Sequence, residues 1–459
     1  MKPAFLTRLA RAATGRAKRE EGAITVLSLQ LLIVSMILGG FAVDVGHGFQ
    51  TYTQLQATAD SAAHAALLTR EWYSADTAKT TAIKVATNMM PTSRYGDVLK
   101  PDDIIFGDWD ADKKTFTANA LSKKAVFVST RRYEQNSNGL STIFLRLAGQ
   151  DNLDIASGSV WETYYSNCFR EGIVAAEIVD TQSNNSYEPG YCIHAQQHVE
   201  INSNNVFKSG VIVSMPDKSD VVIPDSGYEQ NTGLREALRD ASYALRILTR
   251  IDNIKQGLLD PMDAKFGIMN PDSPYYRSYI TSKLVNKING MGKTELNQAD
   301  FKKNQVNYID CKNDNQHKQL KGDWLRQMAV VTDCRIQFGT DLGEGASLED
   351  VVFLNTNVDD KSFYGRAGVR FGKDDDCKPG GDVQIVTKGG IDLASGIRVY
   401  GSQFIAAGDI YATANADGIE GASFVAGGVA SITSNGAFGF CGGAGMGNNF
   451  EAPYFRMVL

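Results

Sequence analysis

A stretch of uncharged residues near the N-terminus constrains the fold more than any other feature of this sequence. Residues 23–43 read AITVLSLQLLIVSMILGGFAV, and a helix of that length, at about 1.5 Å per residue, crosses a hydrocarbon layer of about 30 Å. A cleaved signal peptide is the alternative, but its apolar core has about 7–15 residues and ends at a small-x-small site. Residues 41–44 (FAVD) do not form such a site, so we predict an uncleaved transmembrane helix.

The charges on either side of this stretch predict its orientation. The basic residues before it are Lys2, Arg8, Arg11, Arg16, Lys18 and Arg19. The next basic residue after it is Arg70, so the positive-inside rule places residues 1–22 in the cytoplasm and the chain from Asp44 onward outside it. The whole chain has a net charge of −6. The outer part is therefore acidic, which excludes nucleic acid as a partner because phosphate binding needs clustered Lys and Arg.

All six cysteines fall in the part of the chain predicted to lie outside the cytoplasm. They are Cys168, Cys192, Cys311, Cys334, Cys377 and Cys441. An even number of cysteines in an oxidising compartment favours disulfides, although the sequence does not choose among the pairings. Cys168 with Cys192 and Cys311 with Cys334 are the nearest neighbours along the chain. No pair has zinc-site spacing, so we predict no metal site here.

The segment after the apolar stretch predicts a continued helix. From Asp44 to about Met90 the chain is rich in alanine and free of proline, as expected of a helix. Small side chains recur there at spacings of three and four, at Leu55, Ala59, Ala62, Ala63 and Ala66. Such a face suits close packing, either on the protein's own first domain or on another subunit.

Three sequence blocks stand in order along this region. They are Gly22-Ala23-Ile24-Thr25-Val26, Ala42-Val43-Asp44-Val45-Gly46, and Leu55-Gln56 followed by Asp60-Ser61-Ala62-Ala63-His64-Ala65-Ala66. In this order and spacing the blocks resemble the TadE/TadG-like family of Flp (tight adherence, Tad) pilus-assembly proteins. The resemblance implies a membrane-anchored assembly protein whose partners are other Tad proteins, and it marks as motif and helix-packing residues Gly22, Asp44, Gly46, Leu55, Gln56, Asp60, Ala62, Ala63 and Ala66.

The resemblance continues to about residue 165 and implies a pilin-like α+β domain over residues 44–165. Residues 125–130 and 153–160 are short apolar or alternating runs bounded by turn residues, which predicts strands. Pilins carry a glutamate five residues after the processing glycine, whereas this chain has Leu27 at that distance from Gly22. We therefore expect an intact N-terminus, and a purified protein that begins at Ala23 would contradict this.

A sequence repeat near the C-terminus predicts a second architecture. Residues 401–415 (GSQFIAAGDIYATAN) align with residues 421–435 (GASFVAGGVASITSN), with Thr413 matching Thr433 and Asn415 matching Asn435. Short apolar strands separated by glycine and asparagine at a period of about 20 residues are typical of a parallel β-helix. Looser copies occur around residues 383–391 and 199–213.

Apolar spacing between these repeats predicts helices over 234–251 and 275–288. The expected organisation is therefore a β-rich first β-helix part at 166–230, a helical insertion at 231–305, and a Gly-rich β-helix-like domain at 306–459. The predicted fold class is α+β: a transmembrane helix that continues into a pilin-like domain, followed by a parallel β-helix-like region with a helical insertion.

Candidate chemical motifs in the distal half are weak. The Asp180–Asn184 string (DTQSN) lacks the serines of a von Willebrand-type metal site, which many TadG-like proteins are described as having. His194 and His198 have zincin spacing without the glutamate, in a strand-like context. Residues 374–376 are an acidic turn before Cys377. We expect no catalytic, cofactor or metal site.

The leading hypothesis is a non-enzymatic component of Tad pilus assembly, a machinery related to type IV pili and to adherence. It would be a single-pass protein held in the bacterial inner membrane by residues 23–43, with a periplasmic ectodomain. The alternative is a β-helix adhesin that binds envelope glycans, or a polysaccharide-degrading enzyme. Against an enzyme, the acidic residues in the two clearest repeats are only Asp409, Asp417 and Glu420, without Lys or Arg.

Overall fold

The structure, a computed structural model, describes residues 4–312, 314–413, 418–432 and 434–459, with side chains from residue 24 onward. The basic residues before the apolar stretch and Gly22 precede the described side chains, and Lys2, Asn415, Asp417 and Thr433 lie outside the described residues. The chain forms two compact units, residues 1–164 with 454–459 (unit 1) and residues 165–453 (unit 2). It is mixed α+β: a long N-terminal apolar helix precedes a mostly β region with large parallel sheets.

Unit 1 begins with the helix α1 (Ala4–Arg70). Its part from Ile24 onward contains a stretch long and apolar enough to cross a membrane, and the large apolar side chains from Ile24 to Val43 are exposed. The predicted continuous helix from Asp44 to Met90 is wrong at one point, because a turn separates α1 from α2 (Ala75–Met89). The Ser74 side chain accepts a hydrogen bond from the Thr77 N–H (3.2 Å) and caps the new helix.

The sheet of unit 1 is antiparallel. Its strands are β1 (Ile104–Asp110), β2 (Thr115–Ala118), β3 (Ala125–Arg132), β6 (Ile155–Tyr164) and β30 (Tyr454–Met457), in the order β2-β1-β3-β6-β30. A separate pair is formed by β4 (Leu140–Ser141) and β5 (Asn152–Leu153). The short helix α3 (Thr92–Tyr95) precedes β1. The predicted strands at 125–130 and 153–160 are confirmed by β3 and by β5 with β6. α1 packs on β3, β6 and α2.

Unit 2 consists mainly of two large parallel sheets. The larger contains β7 (Gly172–Ala175), β9 (Ser186–Tyr187), β10 (Cys192–Ala195), β12 (Val206–Phe207), β13 (Ile212–Met215), β14 (Leu238–Asp240), β15 (Val285–Asn289), β16 (Val306–Asp310), β18 (Gly322–Thr332), β20 (Ala346–Asn355), β22 (Arg370–Phe371), β23 (Val383–Thr387), β25 (Arg398–Ala406), β27 (Ile419–Ala426) and β29 (Ala437–Gly439). The other contains β8 (Ile178–Thr181), β11 (His198–Ile201), β17 (Lys318–Leu320), β19 (Ile336–Phe338), β21 (Phe363–Gly365), β24 (Ile391–Leu393), β26 (Ile410–Ala412) and β28 (Ala430–Ile432). The helices of unit 2 are short: α4 (Asn167–Arg170), α5 (Leu234–Ala237) and α6 (Ile251–Leu259).

Successive turns of the chain stack on one another in both sheets. The register follows the sequence repeat, because Phe404 lies opposite Phe424 and Ile410 lies opposite Ala430. Stacking does not follow chain order throughout, since β7 pairs with β27 as well as with β10. The larger sheet therefore runs from β14 through β7 and β27 to β15, and both of its edge strands come from the middle of the sequence.

The two predicted helices between the repeats are wrong. Over residues 234–251 the helix α5 ends after one turn, and Leu238 starts β14, which pairs with β13 through Leu238 opposite Val213. Over residues 275–288 the chain is largely turns, and then β15 pairs with β16. In both places a neighbouring strand, β13 or β16, offers backbone hydrogen bonds to the segment. Helix periodicity in the sequence does not reveal such a partner.

Aromatic rings and asparagine side chains stack along the interior of unit 2. The rings of Phe404 and Phe424 lie parallel with centroids 5.0 Å apart, and Phe371 packs edge-on at 5.0 Å from Phe404. In a row of asparagines, each side-chain Oδ1 accepts the backbone N–H of the neighbouring turn: Asn185 from Gly436 (2.8 Å), Asn205 from Asn185 (2.9 Å) and Asn231 from Asn205 (3.1 Å). These repeated contacts fix the register of the stacked turns.

Candidate functional site

The candidate site in unit 1 lies where α1 leaves its apolar stretch and meets the turn that follows β4. We call it the anchor junction, and it comprises Gly40, Asp44 and residues 143–145. The Asp44 carboxylate is 1% exposed and accepts three backbone hydrogen bonds, from the N–H groups of Ile143 (2.7 Å), Phe144 (2.9 Å) and Leu145 (2.6 Å). One side chain of the helix therefore holds a segment about a hundred residues further along the chain.

The local geometry explains why a carboxylate occupies this position. Leu145 begins a single turn of 3₁₀ helix, Leu145–Ala148, and the first N–H groups of such a turn have no partner within it. A carboxylate satisfies them with charge-assisted bonds. Burial raises the pKa of Asp44, but the three N–H groups outweigh it and hold the pKa below its ordinary value. Asp44 is thus an ionised acceptor at neutral pH.

A close approach between helix and turn completes the anchor junction. Gly40 is buried, and a Cβ placed on it would lie 2.6 Å from Cγ of the Phe144 ring, which is closer than real contacts allow. The neighbouring Gly39 has nothing within 4 Å of the same position. Only a glycine at position 40 therefore lets the Phe144 ring lie directly on the helix backbone.

A second group of motif residues fixes α1 on the sheet. The Gln56 side-chain amide donates to the Asp60 carboxylate (2.9 Å) and to the Gly158 carbonyl (3.3 Å), and its own oxygen accepts from the Ser157 hydroxyl. Ser157 and Gly158 belong to β6. The predicted motif pair Gln56 and Asp60 thus forms one hydrogen-bonded group against the strand.

The small-residue face of α1 packs within unit 1. All of its members are fully buried: Leu55, Ala59, Ala62, Ala63 and Ala66. The Leu55 carbonyl accepts a hydrogen bond from the Thr130 hydroxyl of β3 (2.9 Å). Of the two possibilities left open by the sequence, the structure places this face on the protein's own domain. Gly46 is exposed, with open space around it.

Sequence reasoning found one half of the anchor junction and missed the other. Asp44 stood in a motif block, but its partners are backbone N–H groups, which leave no mark in side-chain patterns. The available signals were the string FLRLAG at 144–149 and Gly40.

The cysteines of unit 2 form disulfides. The pairs are Cys168–Cys192, Cys311–Cys334 and Cys377–Cys441, with Cα atoms 4.9, 5.3 and 5.7 Å apart. The pair Cys311–Cys334 lies beside the Asp333 carboxylate, and the pair Cys377–Cys441 lies beside the Glu420 carboxylate. Their sulfur atoms are bonded to each other, so they are not thiolate ligands for a metal ion.

The histidine pair considered from the sequence is kept apart by the fold. His194 belongs to β10, is fully buried, and its Nδ1 lies 2.9 Å from the Ser214 hydroxyl. Burial lowers the pKa of His194 to about 4. His198 belongs to β11 in the other sheet, where its Nε2 lies 3.0 Å from Glu200. The two side chains therefore have separate partners.

The acidic candidates are also engaged locally. Both Asp180 carboxylate oxygens accept from the Gln182 amide (2.9 and 2.8 Å). Asp375 accepts the Lys378 N–H at 3.1 Å within its turn. Asp409 accepts the Val429 N–H (2.8 Å) and the Tyr411 hydroxyl (3.1 Å). These contacts hold the local structure of a strand (Asp180) and of two loops (Asp375 and Asp409).

Two family models match the chain. The model "Putative Flp pilus-assembly TadE/G-like" covers residues 22–76, which include Asp44 and the small-residue face. The model "Domain of unknown function (DUF7867)" covers residues 172–442, from the first strand of unit 2 to just beyond its last strand, more than half of the chain. No curated protein and no solved structure matches. The chain therefore belongs to the DUF7867 family and carries a TadE/G-like Flp pilus-assembly domain at its N-terminal end.

Proposed function

We propose that this protein is a non-enzymatic, membrane-anchored component of Flp/Tad-type pilus assembly that acts as a scaffold or anchor. The observation that carries the proposal is the TadE/G-like match over residues 22–76. That segment holds both the exposed apolar side chains of α1 and the Asp44 carboxylate that fastens the helix to its domain. A helix fastened in this way transmits force between a bilayer and the folded domain.

The proposed location is the bacterial inner membrane, crossed once, with the N-terminus in the cytoplasm and the rest of the chain in the periplasm. Exposed apolar side chains on α1 from Ile24 to Val43 are costly in water and favourable in lipid. Three disulfides in unit 2 suit an oxidising compartment. The absence of glutamate at Leu27 supports an anchor that stays intact.

The finer architecture belongs to the same proposal. Unit 1, a long helix packed on an antiparallel sheet, is a pilin-like α+β domain. Unit 2, with its in-register parallel turns and stacked Phe and Asn side chains, is a parallel β-helix. Backbone hydrogen bonds join each turn to the next in both sheets, and a body built in this way suits a scaffold that contacts other Tad proteins.

Deleting the gene tests this function, and complementation tests the anchor junction. Flp pili and surface attachment should be lost or reduced in the deletion strain and restored by the wild-type gene. The Asp44→Ala variant should restore them poorly, because three N–H groups lose their acceptor. Gly39→Ala is the matched control, since the same helix has open space there, and it should restore piliation. Normal piliation in the deletion strain would refute the proposal.

A further inference from the structure

The turn held by Asp44 presents apolar side chains outward. Ile143 is 47% exposed, Phe144 43% and Leu147 84%, and Arg146 between them is exposed as well. The other apolar residue of the turn, Leu145, is half-buried. Scattered exposed apolar residues are normal on a protein surface, whereas a contiguous group of them marks a contact surface.

The position of this group along α1 indicates which contact it makes. Phe144 lies against Gly40, and Gly40 lies inside the apolar stretch 23–43. Asp44, the next residue after that stretch, bonds the N–H groups of the turn. The apolar group therefore continues the exposed apolar surface of the helix, where Phe41 is 54% and Val43 48% exposed.

We propose that the turn at residues 143–148 is a second membrane contact, seated in the lipid interface beside the transmembrane helix. Phe144 and Leu147 enter the boundary of the acyl chains, and Arg146 faces the phosphate groups of the lipids. This inference rests on the proposed membrane anchoring of α1. The apolar, aromatic and basic composition is that of segments that lie in the bilayer interface.

The backbone hydrogen bonds of the turn suit a medium poor in water. A polar backbone group without a partner is costly at the membrane, so irregular segments rarely enter it. Here Asp44 satisfies the N–H groups of Ile143, Phe144 and Leu145. Within the turn, the Leu147 N–H donates to the Phe144 carbonyl (2.9 Å) and the Gly149 N–H to the Arg146 carbonyl (3.1 Å). Exposed apolar side chains together with hydrogen-bonded N–H groups are what an interfacial segment needs.

Unit 1 also offers a control position far from the membrane. Leu121 is 88% exposed, and its carbonyl accepts from the Arg70 guanidinium at the C-terminal end of α1 (3.4 Å). Arg70 is 26 residues beyond Asp44, which is about 39 Å along a helix. Leu121 and Leu147 thus have similar exposure at opposite ends of the same domain.

Fluorescence quenching by lipid tests the proposal on the full chain. The variants Leu147→Trp, Leu121→Trp and Ile33→Trp are each reconstituted into phosphatidylglycerol–phosphatidylethanolamine vesicles with and without brominated acyl chains. The native tryptophans are present in every sample, so the quantity compared between variants is the fluorescence that the introduced tryptophan adds to theirs. Leu147→Trp should lose most of its added fluorescence in brominated vesicles, and Leu121→Trp should lose none.

The outcomes separate this inference from the membrane anchor itself. Quenching at Ile33→Trp reports insertion of α1, since Ile33 is exposed in the middle of the apolar stretch. If Ile33→Trp is quenched and Leu147→Trp is not, the second contact is refuted while the anchor stands; a turn that binds a protein partner instead gives this result. If neither is quenched, the anchor proposal fails too.

A paired substitution then tests whether the helix positions the turn. Gly40→Ala in the Leu147→Trp protein forces the Phe144 ring away from α1, and it should reduce the quenching of the added tryptophan. Gly39→Ala meets open space and should leave the quenching unchanged. Equal quenching in the two double variants would show that contact with Gly40 does not place the turn.

Discussion

The asparagine row in unit 2 gives a prediction whose size follows from individual hydrogen bonds. Asn205 is fully buried. Its Oδ1 accepts the Asn185 N–H (2.9 Å), and its Nδ2 donates to the Asn202 carbonyl (2.9 Å) and to the Asn231 side-chain oxygen (3.2 Å). The substitution Asn205→Ala removes all of these bonds without adding bulk.

The expected loss of stability is about 2–4 kcal/mol. The Asn185 N–H is left buried without an acceptor, which costs about 1–3 kcal/mol, and each donor bond that is lost contributes about 1 kcal/mol net. Part of the loss is recovered because the Asn202 carbonyl belongs to an exposed residue and can bind water, and the Asn231 oxygen keeps the Asn205 backbone N–H.

Hydrogen exchange measured by mass spectrometry on the full chain in detergent reports this loss locally. At about 1.4 kcal/mol per tenfold change, peptides that cover β8–β11 should exchange about 30- to 700-fold faster. Asn315→Ala is the control, because Asn315 is exposed and a surface substitution changes stability by about 0.5 kcal/mol or less. Exchange in Asn205→Ala that equals the control would refute the structural role of the row.

Further predictions concern the anchor junction, the aromatic stack and the disulfides. Because the folded pKa of Asp44 lies below its ordinary value of 3.8, its stabilisation of the turn is present above that value and is lost as the pH falls through the folded pKa. The protection factors of the amides at 143–148, which correct for the slower intrinsic exchange in acid, should therefore fall in acid, and in Asp44→Ala they should already be low at neutral pH. Phe404→Ala, at a fully buried ring, should lower the free energy of unfolding by about 3–5 kcal/mol in a urea titration. Peptide mapping without reductant should recover the linkages Cys168–Cys192, Cys311–Cys334 and Cys377–Cys441.

The sequence repeat predicted a part of unit 2 at the level of residue pairs. In stacked turns, positions one repeat apart face each other, so the identical residues at positions 404 and 424 predict a contact. The structure places Phe404 opposite Phe424. The looser copy around 199–213 was also meaningful, because Ile212 lies opposite Cys192. Repetition reveals the register because the same local geometry recurs at each turn.

Other features of the fold leave no local trace in the sequence. The apolar spacing of Leu234 and Leu238 fits a helix, yet Leu238 is held by the edge of β13, a strand more than twenty residues earlier. The pairing of Gly172 with Ser423 joins segments that are distant in the chain. Likewise, Asp44 was visible as a motif residue, while the N–H groups that it binds were not. In each case the missing information was a non-local backbone partner.

The order of strands in unit 2 has a consequence for how it comes apart. Repeat proteins usually fray from their terminal repeats, but here the first strand, β7, is covered by β27 on one side and by β10 on the other. The exposed edges are β14 and β15, and residues 241–284 connect them. That connection is held against the stack, where Asp252 pairs with Lys388 (2.6 Å) and Arg277 donates to Gln384 (3.4 Å).

Release of either edge strand therefore also disturbs the contacts of the segment that leads to the other edge strand. The edges themselves carry exposed charged residues, Arg239 and Asp240 on β14 and Lys287 on β15, which oppose pairing with further strands. The first strand of unit 2 is covered on both sides, and the two edge strands of the larger sheet are joined by one segment. Unit 2 should therefore unfold as one cooperative body and resist pairing with further strands.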